Sequence, residues 1–223
     1  SSDDGERKEQ ISKSFTLNNL DEFIYYEYAI ILEDPNHDQR PFFSSQILIN
    51  GEPVPCSRIF FEAFSSIPGF VDSPNNSNIK VRPWRSNIIR PSDYGAQAGD
   101  EITFIAQVSD CGLGAHFGYA YFDITCLEDD DIIILNDGGV ACLKDEVTFS
   151  TSQEILGDFT WTILDANNNV LATFNNIQNP TYTITQVGVY TIQISIDNFT
   201  TTEGCADISS TFTKTIRIDP CED

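Results

Sequence analysis

Apolar and polar residues alternate along most of this chain, and a helical period of apolar positions is almost absent. The alternating runs are short and rich in aromatic and β-branched side chains: "EFIYYEYAIIL", "FFSSQILI", "SRIFFEAF", "EITFIAQV", "FGYAYFDIT", "EVTFS", "DFTWTIL", "TYTIT", "GVYTIQISI" and "FTKTIRI". Turn-forming stretches separate them, among them "INGEP", "SIPG", "DSPNNSN", "DANNN" and "NNIQNP". A period of two bounded by such turns predicts strands, and their number and spacing predict an all-β protein of one sandwich or two in tandem.

The texture changes near "CLEDDD", Cys126 to Asp131. Loops before it are long and aromatic-rich; strands after it are closely spaced and rich in threonine. The pattern therefore divides into a polar segment at 1–14 expected to be disordered, a first module at 15–127 and a second at 128–223. In the second, "FTWTIL" sets Phe159, Trp161 and Ile163 on one face, and "GVYTIQISI" sets Tyr190, Ile192, Ile194 and Ile196 inward. With "DIIIL" and "EVTFS" before and "FTKTIRI" after, this is the strand sequence of an immunoglobulin-like sandwich with Trp161 as its core tryptophan.

Two resemblances extend this reading. The strings "DFTWTI" and "NPTYTITQVGVYTIQISI", with the last strand, resemble the PKD-type Ig-like domain, although "TILDANNNV" stands where that family carries an F-G-D-G-like turn. The likeness implies an extracellular spacer or binding module without catalysis. In the first half, "YAIILEDPNHDQRPFF", "PVPC", "WRSNIIRPSDYGAQAGDEITFIAQVSDC" and "GAHFGYAYFDITC" resemble a module near the start of large secreted surface proteins of Bacteroidetes, linked to gliding motility and type IX secretion. The tryptophan, the D-Y-G-x-x-A-G-D-x-I-x-F string and the final aromatic strand are also similar to galactose-binding-like and MAM-type jelly rolls, from which "PSDY" departs. The resemblances imply a jelly-roll sandwich followed by a PKD/Ig-like sandwich.

Charge narrows the partners. The chain has 223 residues, with 34 acidic against 12 basic side chains and a net charge of −22. Such a surface repels phosphate backbones and anionic lipid, so nucleic acid is excluded as a partner, and no apolar run is long enough for membrane insertion as a helix. The absence of methionine is expected of a processed or excised piece. The six cysteines, Cys56, Cys111, Cys126, Cys142, Cys205 and Cys221, form no C-x-x-C pair and no local Cys/His zinc spacing. Their even number and wide spacing predict disulfides and an oxidising, extracellular cell-surface setting. Strand topology favours Cys142–Cys221 and Cys126–Cys205, leaving Cys56–Cys111, although the same topology sets Cys56 near the pole of Cys126.

The remaining chemistry gathers in one predicted place. If the strand at 24–32 pairs with that at 118–125, the loops "DPNHDQRP" (34–41) and "DCGLGAHF" (110–117) abut, bringing both histidines together. Three readings stay open there. The loops form a structural corner; or Asp34, Asn36, Asp38 and Asp110 supply oxygens to calcium; or His37, Arg40, His116, Tyr119 and Tyr121 bind a glycan. The linker acids Glu128, Asp129, Asp130 and Asp131 are either a solvated run or a second calcium site between modules. Trp84 falls in a predicted strand and reads as core in preference to ligand platform.

No catalytic residues emerge. No pair of opposed carboxylates is singled out, H-E-x-x-H and G-x-S-x-G are absent, and "GAQAGD" lacks the lysine of a phosphate-binding loop. The expectation is a non-enzymatic extracellular fragment of a bacterial surface or gliding adhesin. It would space or present adhesive surface between adjacent modules of a long chain, or bind surface polysaccharide. The alternatives are the carbohydrate-binding and spacer region of a secreted hydrolase, or a filament subunit.

Overall fold

Alternation along β2 (Phe23–Glu33) shows how the first sheet is built: Tyr26, Tyr28, Ile30 and Leu32 are fully buried, while Glu27, Ala29, Ile31 and Glu33 face outward. A computed structural model describes residues 8–64, 66–127, 132–135, 140–143, 146–201, 205 and 208–220. The first module begins with β1 (Lys8–Thr16) and continues after β2 with β3 (Phe42–Ile49), β4 (Glu52–Pro53), β5 (Ile59–Glu62), β6 (Val71–Ser73), β7 (Asn76–Ile89), β8 (Glu101–Ser109) and β9 (Gly118–Leu127). One sheet runs β1-β8-β3-β4 with β5 also on β3; the other runs β6-β7-β2-β9. All pairings in the two sheets are antiparallel. The space between them is filled by rings, with Tyr26 4.9 Å from Phe104 and 5.4 Å from Phe122, and Tyr28 stacked on Phe43 at 5.9 Å. Offset and tilted pairs of this kind add to the stabilisation from burial alone.

The expectation of a disordered segment at 1–14 needs correction over residues 8–14. Lys8 to Thr16 pair with β8 over nine positions, from Lys8↔Ser109 to Thr16↔Glu101. Its sequence reads as a tail because most of its side chains are exposed. An edge strand held by backbone hydrogen bonds, with lysines on it, needs little apolar patterning and resists further pairing. Residues 1–7 lie outside the described part.

The second module comprises β10 (Ile133–Leu135), β11 (Val140–Cys142), β12 (Glu146–Thr151), β13 (Phe159–Leu164), β14 (Val170–Asn175), β15 (Thr181–Thr183), β16 (Gly188–Asn198) and β17 (Ile208–Asp219). Its sheets are β10-β12-β15 and β11-β17-β16-β13-β14, with β11 parallel to β17. Trp161 is fully buried against Phe149 at 5.4 Å, and its Nε1 donates to Ile177 O at 3.1 Å. Phe159 and Ile163 flank it, and Tyr190, Ile192, Ile194 and Ile196 point inward as the alternation requires. Tyr190 Oη donates to Gln186 O at 2.6 Å, tying the turn before β16 to that strand. The chain is an all-β pair of sandwiches.

The modules share a boundary that is itself core. Phe23, Tyr25 and Ile88 of the first module belong to the apolar cluster of the second, and Phe23 meets Phe212 at 5.1 Å. Ser210 Oγ donates to Ile88 O, Leu156 N to Ser86 Oγ, and Tyr25 Oη to Glu154 O, at 2.9, 2.7 and 2.7 Å. Burial, aided by Glu27, raises the Tyr25 phenol above its ordinary value, so it stays a donor.

Cys205 is disulfide-bonded to Cys56 across this boundary. Cys111 and Cys126 are free thiols, which corrects both Cys126–Cys205 and Cys56–Cys111. The loop after β16 does reach the first module, where Thr201 N donates to Arg58 O and its Oγ1 accepts from Phe60 N. It arrives beside Cys56, at the pole where the strand order had set that residue. Cys142 is also disulfide-bonded; Cys221, its expected partner, lies outside the described residues. No helix among the described residues is long and apolar enough to cross a membrane.

Candidate functional site

The pairing of β2 with β9 runs from Phe23↔Leu127 to Leu32↔Gly118, so the end of one strand lies beside the start of the other. The loops 34–41 and 110–117 meet in consequence. Glu33 N donates to Phe117 O at 3.0 Å, Gly112 N to Gln39 O at 3.0 Å, and the two imidazole rings lie 5.3 Å apart in an edge-on arrangement. Within the second loop Cys111 N donates to His116 O at 3.1 Å and Gly114 N to Cys111 O at 3.2 Å. Gln39 and Ala115, both with positive φ, are the residues other than asparagine or glycine that adopt this conformation among the described residues. Such backbone costs about 1–3 kcal/mol at each position and persists where its surroundings over-determine it.

The acids of this corner do not gather. Asp34 is buried and accepts from Asn36 N at 3.1 Å, while Asp110 accepts from Gly118 N at 3.2 Å. Both carboxylates brace backbone. Asp38 contributes its carbonyl to His37 Nδ1, and Arg40 Nε donates to His37 O at 3.0 Å while its guanidinium lies over Phe64. The group that converges, among the described residues, is His37, Cys111 and His116. Sequence spacing did not reveal it, because Cys111 and His116 come from one loop and His37 from another. The signal was the predicted abutment of the loops together with a cysteine in the second. The linker acids Glu128, Asp129, Asp130 and Asp131 lie outside the described residues.

A second feature spreads from this corner over the outer face of the β6-β7-β2-β9 sheet. Tyr119 and Tyr121 of β9 are each 57% exposed, and Phe117 lies 5.1 Å from Tyr119. Trp84 of β7 is 46% exposed and its ring lies 6.4 Å from that of Tyr121. The expectation that Trp84 is core is therefore overturned. The register explains why: β7 advances three residues, Arg82 to Arg85, while β2 advances two, Ile30 to Tyr28. This bulge breaks the inside–outside parity, leaving Pro83, Trp84 and Arg85 all exposed. Between the two aromatic strands lies Ala29, paired with Tyr121, so a small side chain floors the space between larger ones. Glu27 and Asp123, paired with each other, supply carboxylates beside it.

Arg85 also lines a cleft of about 210 Å³ at the module boundary, with Asp158 and Asp197 from the second module and Phe199 from its long loop. On the cleft wall Arg82 is buried among Phe61, Phe199, Tyr28 and Phe70, its guanidinium carbon 4.7, 4.9, 5.8 and 5.8 Å from the ring centres. Cation–aromatic contacts of this kind stabilise a desolvated guanidinium.

No family model matches the chain, and no curated protein sequence matches it significantly. Among solved structures, it is similar to β-D-glucuronidase of Dictyoglomus thermophilum at a TM-score of 0.29 and 11% identity, covering 95% of this chain and 36% of that one. It is also similar to β-glucuronidase 3 of Bacteroides uniformis at a TM-score of 0.31 and 7% identity, covering 92% of this chain and 26% of that one. The chain thus spans about a third or less of these enzymes. Likeness at this level carries no argument about activity.

Proposed function

We propose that this chain is a rigid, non-enzymatic two-sandwich segment of an extracellular bacterial surface protein, of the gliding-adhesin kind its first half resembles, and that it binds neutral polysaccharide on the outer face of its first module. The observation that carries the reading is the exposed aromatic run of Trp84, Tyr121 and Tyr119 around Ala29. A sugar ring presents a face of C–H bonds flanked by hydroxyls. Flat aromatic side chains with adjacent polar groups match that face, and Glu27, Asp123 and Arg85 stand where hydroxyls would be met. Aromatic rings held on strands lose little freedom on binding. The net charge of −22 and the carboxylates beside the strip disfavour an acidic polymer. A disulfide and a shared core across the boundary suit a segment that holds this face at a fixed orientation.

The test is affinity electrophoresis and a glycan array with the wild-type chain, Trp84→Ala and Tyr121→Ala. Neutral polymers are expected to retard the wild type, with binding weakened by about 2 kcal/mol or more in each variant, as for a central aromatic contact. Equal retardation of all three proteins, or binding of acidic polymers alone, overturns the reading.

A further inference from the structure

From the corner of loops 34–41 and 110–117 we infer a transition-metal site built from His37, Cys111 and His116, with zinc as its first candidate occupant. Cys111 Sγ lies 3.4 Å from His116 Nδ1, and the ligating atoms of the three residues all fall within 4.8 Å of one another. A tetrahedral zinc with bonds of about 2.3 Å to sulfur and about 2.0–2.1 Å to nitrogen has ligand–ligand edges of about 3.4–3.6 Å. The Cys111–His116 edge is at that length already, and a movement of about 1 Å by His37 closes the rest. One thiolate and two imidazoles form a soft-to-borderline donor set, suited to zinc or copper and unsuited to calcium or magnesium.

The surroundings prepare the ligands. His37 Nδ1 faces the carbonyl oxygen of Asp38, an acceptor, so the ring proton sits there and Nε2 keeps its lone pair for a metal. Arg40 Nε holds the His37 carbonyl, and the bond from Cys111 N to His116 O fixes the other two ligands relative to each other. Cys111 is fully buried and its Sγ donates to Gly114 O at 3.2 Å. The other free thiol, Cys126, pairs with Ile24 near the far end of β9. A buried thiol between two imidazoles, in a chain whose Cys56, Cys142 and Cys205 are oxidised, is a donor kept for something other than a disulfide. Binding releases the thiol proton to solvent and gives up the Sγ–Gly114 contact. The metal then staples the β2–β3 loop to the β8–β9 loop at the end of the aromatic strip. The site stands on its own geometry and does not depend on polysaccharide binding.

The experiment titrates zinc, and cobalt as a spectroscopic probe, into the chelator-stripped chain with its disulfides intact. A Cys126→Ser background removes the exposed thiol. One zinc per chain is expected, with a rise in Tm, and cobalt is expected to give a thiolate-to-metal charge-transfer band with the intense visible bands of tetrahedral geometry. Cys111→Ser, His37→Gln and His116→Gln should each weaken zinc at least about tenfold, since even outer-shell changes cost that much. An unchanged melting temperature without metal would show these variants folded. Copper bound in the same three-residue-dependent way also supports the site. Binding unaffected by the three variants, no zinc bound by the folded parent, or a cobalt spectrum without the thiolate band overturns it.

Discussion

Cys56 and Cys205, 149 positions apart, are bonded across the module boundary with their Cα atoms 5.5 Å apart. The bond closes a loop that contains most of the first module and most of the second, and it lies on the same side as the Thr201–Arg58 and Thr201–Phe60 hydrogen bonds. Cross-linking so long a loop removes entropy from the unfolded chain, about 2–4 kcal/mol for a typical native disulfide. The double variant Cys56→Ser/Cys205→Ser is expected to lose stability in that range in urea unfolding, and still to unfold in one transition because Phe23, Tyr25 and Ile88 remain in the second core. Two separate transitions in the variant would show that the disulfide, and not the shared core, couples the modules.

The two tryptophans should behave oppositely. Trp161 is fully buried and donates to Ile177 O, so Trp161→Ala is expected to cost about 3–5 kcal/mol through lost burial and a cavity. Trp84 is 46% exposed, and Trp84→Ala should stay within about 0.5 kcal/mol of wild type in the same unfolding assay. A large loss at Trp84 would mean that its ring supports the β7 bulge and is not free for a ligand.

Much of this fold was legible because alternation reports one buried face directly: the inward set of β16 and the core tryptophan of β13 follow from a period of two, while the β2–β9 pairing follows from the jelly-roll topology that the first half resembles. What escaped has physical reasons. β1 and β14 are edge strands with mostly exposed or half-exposed side chains, so neither carries a clear apolar pattern. Trp84 changed face because a bulge between Tyr28 and Ile30 shifts parity, and bulges leave no alternation signal. The His37–Cys111–His116 cluster is assembled by strand pairing, which spacing rules for local metal motifs do not see. The disulfides depend on where a long loop lands: it brings Cys205 to Cys56 and not to Cys126, and strand patterning does not report that landing point.

Gly69 tests the buried guanidinium. Its φ is +76°, and a Cβ at this position would lie 2.2 Å from Arg82 Nη1. Arg82 cannot swing aside freely, since its guanidinium is enclosed by four rings and donates to Pro68 O at 3.2 Å. Gly69→Ala is expected to destabilise by about 1–3 kcal/mol through overpacking and backbone strain. Thermal melts of Gly69→Ala, Arg82→Met and the double variant check the cause: the double variant should fall by less than the sum of the two, because a guanidinium that is absent no longer clashes. Strict additivity would place the strain in the backbone alone.

Asp165 makes stability depend on acid. It opens the turn between β13 and β14, where its carboxylate accepts from Asn167 N at 2.8 Å, Asn169 N at 2.9 Å and Asn169 Nδ2 at 2.8 Å, with Asn168 at φ +64°. The Asn169 side chain foremost, then the backbone N–H groups of Asn169 and Asn167, hold its carboxyl below the ordinary value of 3.8. A depressed folded-state pKa means that the charged form stabilises the fold above the unfolded value. That contribution is complete at neutral pH and is lost as pH falls below 3.8 through the folded value. Asp165→Asn keeps one acceptor oxygen and loses the charge, so its urea midpoint at neutral pH should lie below that of wild type. The gap between the two midpoints should narrow at acid pH below the folded-state value, where the wild-type carboxyl takes up its proton. A gap of the same size at both pH values would show that the turn needs the carboxylate's shape and not its charge.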